Sequence, residues 1–174
     1  MPMYPSYDEF AAAYDRGEAQ IVSTRLVADL ETPVSAALKL TRQSRYSFLL
    51  ESVEGGAVRG RYSIIGMNPD LIWKVRDRKA SINRKALTDP NGPFETVDLE
   101  PLAALRALLA ESLIKLPNDA PPMAAGVFGY IGYDFVRLME DLPAPNEDVL
   151  GLPDGMMIRP TVMAIFDSVR DEVT

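Results

Sequence analysis

Apolar positions along the chain change period several times, and each change marks an element. Ser6 with Glu9 three residues on has the form of a capping box, and Phe10 and Tyr14 lie four apart, so a short helix is expected with Gly17 closing it. Ile21 to Leu26 reads as a strand. Thr32-Pro33 opens a second helix, because Thr suits the N-cap and Pro the first turn. Its apolar positions are Val34, Ala37, Leu38 and Thr41. Tyr46 to Val53 (YSFLLESV) is a strand, Glu54-Gly55-Gly56 a turn, and Gly60 to Gly66 (GRYSIIG) the next strand. Asn68-Pro69 reads as a break before Leu71 to Arg76 (LIWKVR), which alternates like a half-buried strand with Trp73 packed on it. Ser81 to Asn83 pairs back across Asp77 to Ala80. Tyr46 to Asn83 is thus an antiparallel meander.

The remainder is more irregular. Residues 84–99 contain Pro90, Gly92 and Pro93 and read as a surface loop. Pro101 opens a third helix, with Leu102, Leu105, Leu109 and Leu113 as its core face. Ala124 to Tyr133 (AAGVFGYIGY) reads as a glycine-rich strand with Tyr130 and Tyr133 on the core, and a short helix from Asp134 carries Phe135, Leu138 and Met139. Residues 143–155 form an irregular connection. Met157 to Val169 is a final strand for which no following segment supplies a hairpin partner. An unpaired strand there is an exposed edge, so the reading expects either pairing elsewhere or a continuing chain, with dimerisation through this strand as a further outcome.

Composition narrows the chemistry. Among 174 residues there is no cysteine and no histidine. Disulfides, thiolate zinc sites, cysteine nucleophiles and a Ser-His-Asp triad are therefore excluded. No paired-carboxylate metal loop appears, and no catalytic or metal residue is assigned. The net charge of −7 and the scattered basic residues argue against a nucleic-acid partner. No apolar run reaches the ~18 residues of a membrane span, and the first residues lack the plan of a secretory signal. A cytoplasmic location is expected.

Three segments rise above generic globular sequence. LLESVEGG (49–56) is followed by GRYSIIG (60–66). DLETPVS occupies 29–35, and GVFGYIGYD occupies 126–134. In this order they resemble the amino-terminal region of anthranilate synthase large subunits, across roughly Ile21 to Val169. Read by itself, LLES is a core strand running into a polar turn. At a strand end, however, Glu51 can accept from an ammonium group and Ser52 can donate and accept, with apolar neighbours to enclose a ring. The resemblance implies that Leu50, Glu51 and Ser52 line the site of L-tryptophan, the feedback inhibitor, with Arg61, Tyr62 and Ser63 beside them. Arg61 could instead anchor the meander through surface pairing.

The resemblance also implies an α+β fold: an antiparallel meander with flanking helices, the amino-terminal part of the two-domain chorismate-utilising enzyme fold. It implies that residues 1–174 are the effector-binding region and that the catalytic chorismate-binding domain lies outside them. The full subunit is a lyase that makes anthranilate from chorismate with magnesium, using ammonia from a glutaminase subunit. These 174 residues alone are expected to be inactive. Aminodeoxychorismate synthase is the nearest alternative family. A protein-interaction module that pairs through its open final strand is the other.

Overall fold

The computed structural model describes residues 2–53, 59–121, 123–143 and 147–174, without the side chains of Val53 and Arg59. The expected Glu54-Gly55-Gly56 turn lies outside the described residues. Along the chain come β1 (Met3–Tyr4), α1 (Tyr7–Asp15), β2 (Ser23–Thr24), β3 (Leu26–Val27) and α2 (Pro33–Leu40). The meander follows as β4 (Phe48–Val53), β5 (Arg59–Arg76) and β6 (Lys79–Asn83), then β7 (Glu95–Thr96) and α3 (Pro101–Glu111). After these come β8 (Phe128–Ile131), a 3-10 helix (Tyr133–Leu138), β9 (Gly155–Asp167) and β10 (Glu172–Val173). The fold is mixed α+β, with a curled antiparallel sheet and few helices.

The chain folds as two compact units. The first comprises Met1–Asn68, Ile114–Ala125 and Thr161–Thr174; the second comprises Pro69–Leu113 and Gly126–Pro160. In the first unit the strand order is β3-β10-β9-β5, and β4 also pairs with β5. Its core gathers Ala36, Ile65, Met67 and Phe166, with Leu49, Ala164 and Val173 against them. In the second unit β9, β5, β6 and β7 are successive neighbours and β8 pairs with β9. Its core is larger and includes Leu71, Trp73, Val75, Ile82, Leu108 and Phe135.

Local signals set the helix starts. The Ser6 hydroxyl accepts from the Glu9 N–H at 3.5 Å, and the Glu9 carboxylate accepts from the Ser6 N–H at 2.9 Å. Gly17 follows α1 in the left-handed region at φ +69°, as a residue without a Cβ can. The Phe10 and Tyr14 rings stack with centroids 5.9 Å apart. At α2, Thr32 Oγ1 accepts from the Ser35 N–H at 3.1 Å, and Ser35 Oγ accepts from the Thr32 N–H at 3.0 Å. Thr32→Ala removes one side of this reciprocal cap and is expected to cost about 1 kcal/mol in a urea denaturation. A change within error would mean the helix is held by its packing alone.

Several expectations are corrected. Asn68-Pro69 does not end a strand: β5 runs through both residues. Asn68 takes φ 52°, which asparagine tolerates, and its carbonyl accepts from the Thr161 hydroxyl at 2.6 Å, so the backbone group stays satisfied. Ile21 to Leu26 is not one strand but two short pairings, β2 with β1 and β3 with β10. Within residues 84–99, Ala86 is buried and β7 pairs with β6, so the segment is not wholly surface loop.

Of the leucine face expected for the third helix, Leu102 and Leu105 pack on the core, and Leu108 takes the place of the other two. Ala104 and Leu108 are buried, whereas Leu109 and Leu113 are exposed. The helix stops at Glu111, so Leu113 lies beyond its last turn. In α2, Val34 and Leu38 are exposed and Ala36 is the buried residue. Tyr130 and Tyr133 do not pack on the core. Tyr133 is 87% exposed, the Tyr130 hydroxyl donates to the Pro153 carbonyl at 3.1 Å, and Phe135 is the buried aromatic. Trp73 is core, as expected, at 1% exposure.

The final strand is paired at both ends of its outer edge, over Gly155 to Ile158 and at Phe166 and Asp167. β9 has β5 as one neighbour, while β8 and β10 pair with its two ends. The chain turns back at Asp171, φ 50°, so that Glu172 faces Asp167 and Val173 faces Phe166. This pairing covers both ends of the edge on which the β-augmentation reading rested.

Candidate effector site

Register decides which of the six candidate residues share a face. Leu50 stands opposite Ile64 and Glu51 opposite Ser63 in the β4–β5 ladder, with an irregularity between Glu51 and Val53. Directly opposed residues point to the same side, and successive residues alternate. Glu51 and Ser63 therefore continue the side of Leu49 and Ile65, which leads into the core of the first unit. Leu50, with Ile64, belongs to the other. Beyond Glu51 and Ser63 the ladder shifts register, so alternation does not extend to Ser52, Arg61 and Tyr62.

The side carrying Leu50 has room for a ligand. Leu50 is 46% exposed, although its partner Ile64 is buried. Ser52 and Glu51 are exposed at the irregular end of β4. Among the described residues, neither the Glu51 carboxylate nor the Ser52 hydroxyl has a hydrogen-bond or ion-pair partner. Gly60 lies against Ser52 so closely that a Cβ there would stand 2.1 Å from the Ser52 carbonyl oxygen. That approach needs glycine, and it seats Ser52 against the start of β5.

Arg61 is committed elsewhere. Its Nε lies 3.0 Å and 3.1 Å from the two carboxylate oxygens of Asp167, and its Nη2 lies 2.7 Å from Oδ2. Hydrogen bonds from Arg61 hold the Asp167 carboxyl below its usual range, against the opposing effect of burial. The same bonds raise the Arg61 guanidinium above its ordinary value. This is the anchoring role that the sequence left open for Arg61.

Arg61 and Tyr62 also line a cavity of about 460 Å³ in the first unit, together with Arg25, Asp119, Asp167 and Arg170. Arg25 Nη2 donates to Asp119 at 2.8 Å. Its charged walls are thus largely paired, and Leu50, Glu51, Ser52 and Ser63 do not line it. Among the described residues no group of Asp or Glu converges so as to hold a metal ion. No described helix is long and apolar enough to cross a membrane.

Sequence reasoning missed Asp167 and the close approach of Gly60. Neither has a local signal: Asp167 is 106 positions from Arg61, and one glycine beside a strand is commonplace.

No protein-family model matches the chain. Curated relatives do. The chain is 52% identical over 169 residues to anthranilate synthase component 1 of Cereibacter sphaeroides, covering 97% of the chain and 34% of the relative. The Thermus thermophilus protein of that name is 41% identical over 145 residues, covering 83% and 29%. That of Synechocystis is 37% identical over 173 residues, covering 97% and 32%. The chain is similar to the amino-terminal region of anthranilate synthase component 1.

It spans about a third of the length of these relatives. The crystal structure of anthranilate synthase component I from Streptococcus pneumoniae matches 87% of the chain and 30% of its own, with a TM-score of 0.54 at 22% identity. That likeness concerns the fold. For component 1, the order of LLESVEGG, GRYSIIG and GVFGYIGYD places the matched region where the resemblance expected it.

Proposed function

We propose that the chain is the effector-binding part of an anthranilate synthase component 1 and supplies one wall of a site for L-tryptophan. The observation that carries this is the irregular end of β4, where the Glu51 carboxylate and Ser52 hydroxyl, unpartnered among the described residues, adjoin the exposed Leu50. Glu51 is opposite to Leu50 by ladder position, but it is exposed where β4 loses its register and so can reach the edge that Ser52 occupies. An amino acid offers an ammonium group for the Glu51 carboxylate, a carboxylate for the Ser52 hydroxyl and an apolar side chain for Leu50 and Tyr62. Arg61 is left to hold the strand pair. Ser63 stands directly opposite Glu51 in the ladder.

The whole subunit would convert chorismate to anthranilate with magnesium, as a lyase in the cytoplasm, beside a glutaminase subunit. Its chorismate- and magnesium-binding residues are expected in the carboxy-terminal portion, and the present residues alone are expected to lack synthase activity. Tryptophan would act by favouring a low-activity arrangement, to the extent that it binds that arrangement more tightly. The relatives bear the anthranilate synthase name, which favours this family over aminodeoxychorismate synthase.

Calorimetry with L-tryptophan, and with L-tyrosine and L-phenylalanine as controls, tests the site. Saturable heat specific to tryptophan is expected, weakened about tenfold in Ser52→Ala through loss of a hydrogen bond to a charged group. Titration of the complete polypeptide accompanies it, because the opposite wall is expected outside these residues. Unaltered affinity of Ser52→Ala there would refute the assignment.

A further inference from the structure

The start of β5 is gripped from the end of β9. The Arg61 side chain makes a forked contact with Asp167, whose side chain is only 12% exposed. Asp167 also accepts from the Val169 N–H at 3.0 Å. The main chain adds to the grip: the Ser168 N–H donates to the Arg61 carbonyl at 2.9 Å, and the Ser168 hydroxyl donates to the Gly60 carbonyl at 3.3 Å. Gly60 in turn abuts Ser52, and Tyr62 follows Arg61. A continuous set of contacts thus runs from Asp167 through Arg61 and Gly60 to Ser52.

We propose that Asp167 is a positioning residue for the effector site: by holding Arg61 it sets the height of Gly60 against Ser52 and the direction of Tyr62. This rests on the reading that L-tryptophan binds at Leu50 to Ser52. A ladder alone does not require the ion pair, since Ser168 already ties the main chains. What the pair adds is direction. A guanidinium forked on a carboxylate fixes both angle and distance, which a lysine ammonium, a point charge on a flexible stem, does not. The strand is thereby held to within the tolerance a small ligand requires.

The pH response follows. The Asp167 carboxyl is held below its ordinary value by the Arg61 hydrogen bonds, so the pair is present above that ordinary value. It is lost only as the pH falls through the lowered pKa.

The test compares tryptophan affinity with thermal stability in the complete polypeptide. Asp167→Asn and Arg61→Lys are set beside Glu111→Gln, which breaks a comparable ion pair with Arg84 in the other unit. Tryptophan affinity is expected to fall about three- to thirtyfold in the first two. Their ligand-free melting temperatures should move no further than that of Glu111→Gln. The exchange Arg61→Asp with Asp167→Arg is expected to recover part of the affinity. Unchanged binding in Asp167→Asn, with wild type binding normally, would overturn the positioning role and leave the effector site standing. Loss of binding in Arg61→Ala but not in Asp167→Asn would also overturn it, because Arg61 would then contact the ligand itself. Absence of tryptophan binding in the wild type would remove both the effector reading and this inference.

Discussion

Trp73→Ala is expected to lower stability by about 4 kcal/mol, since large aromatic truncations in a packed core cost roughly 3–5 kcal/mol. Trp73 is 1% exposed and sits among Leu71, Val75, Ile82 and Leu108 in the core of the second unit. A loss of that size is a large share of the stability of an ordinary domain. Trp73→Phe is expected to be far milder. The indole Nε1–H is buried and, among the described residues, has no acceptor. Phenylalanine removes that unsatisfied donor, which offsets part of the lost contact; a net cost of about 1 kcal/mol is expected. Urea unfolding followed by circular dichroism measures both, since Trp73 is the chain's one tryptophan and its fluorescence goes with it. A cost for Trp73→Phe near that of Trp73→Ala would mean that the N–H does find a partner.

Gly60→Ala is expected to cost about 3 kcal/mol and to abolish the tryptophan response, as overpacking against backbone sits at the upper end of its usual range. The added Cβ would lie 2.1 Å from the Ser52 carbonyl oxygen, and no rotamer change can relieve a clash with main chain. β4 must move off β5, taking Ser52 with it. Gly129→Ala is the matched control. There a Cβ would lie 1.9 Å from the Met156 carbonyl oxygen, in the β8–β9 pairing of the other unit. Both variants should lose stability by denaturation, but only Gly60→Ala should lose tryptophan binding by calorimetry under conditions where both remain folded. Equal binding by the two would refute the role of the Gly60–Ser52 approach.

The family resemblance was legible because its signals are short-range. LLES, GRYS and their order pointed to the component 1 family, and the relatives bear that out. Which candidates can act together was not legible. Alternation along β4 and β5 places Glu51 and Ser63 on one side, and Leu50 and Ile64 on the other. That outcome depends on a register that the β4–β5 pairing sets. Arg61 illustrates the same limit. Its sequence neighbourhood allowed either a ligand contact or an anchor, and a carboxylate far along the chain decided for the anchor.

The sequence by itself determined the helix starts at Ser6 and Thr32 and the glycine that closes α1. Each depends on hydrogen bonds and backbone angles among residues a few positions apart, so no distant partner can change them. Tertiary structure decided the rest. It carried β5 through Asn68 and Pro69, where a hydroxyl from Thr161 satisfies the backbone. It chose Leu108 over Leu109 as the inward leucine of α3 and left Tyr133 in solvent. It also paired both ends of the outer edge of β9. In these cases the local pattern admitted more than one arrangement, and the burial of apolar surface against a particular neighbour selected among them.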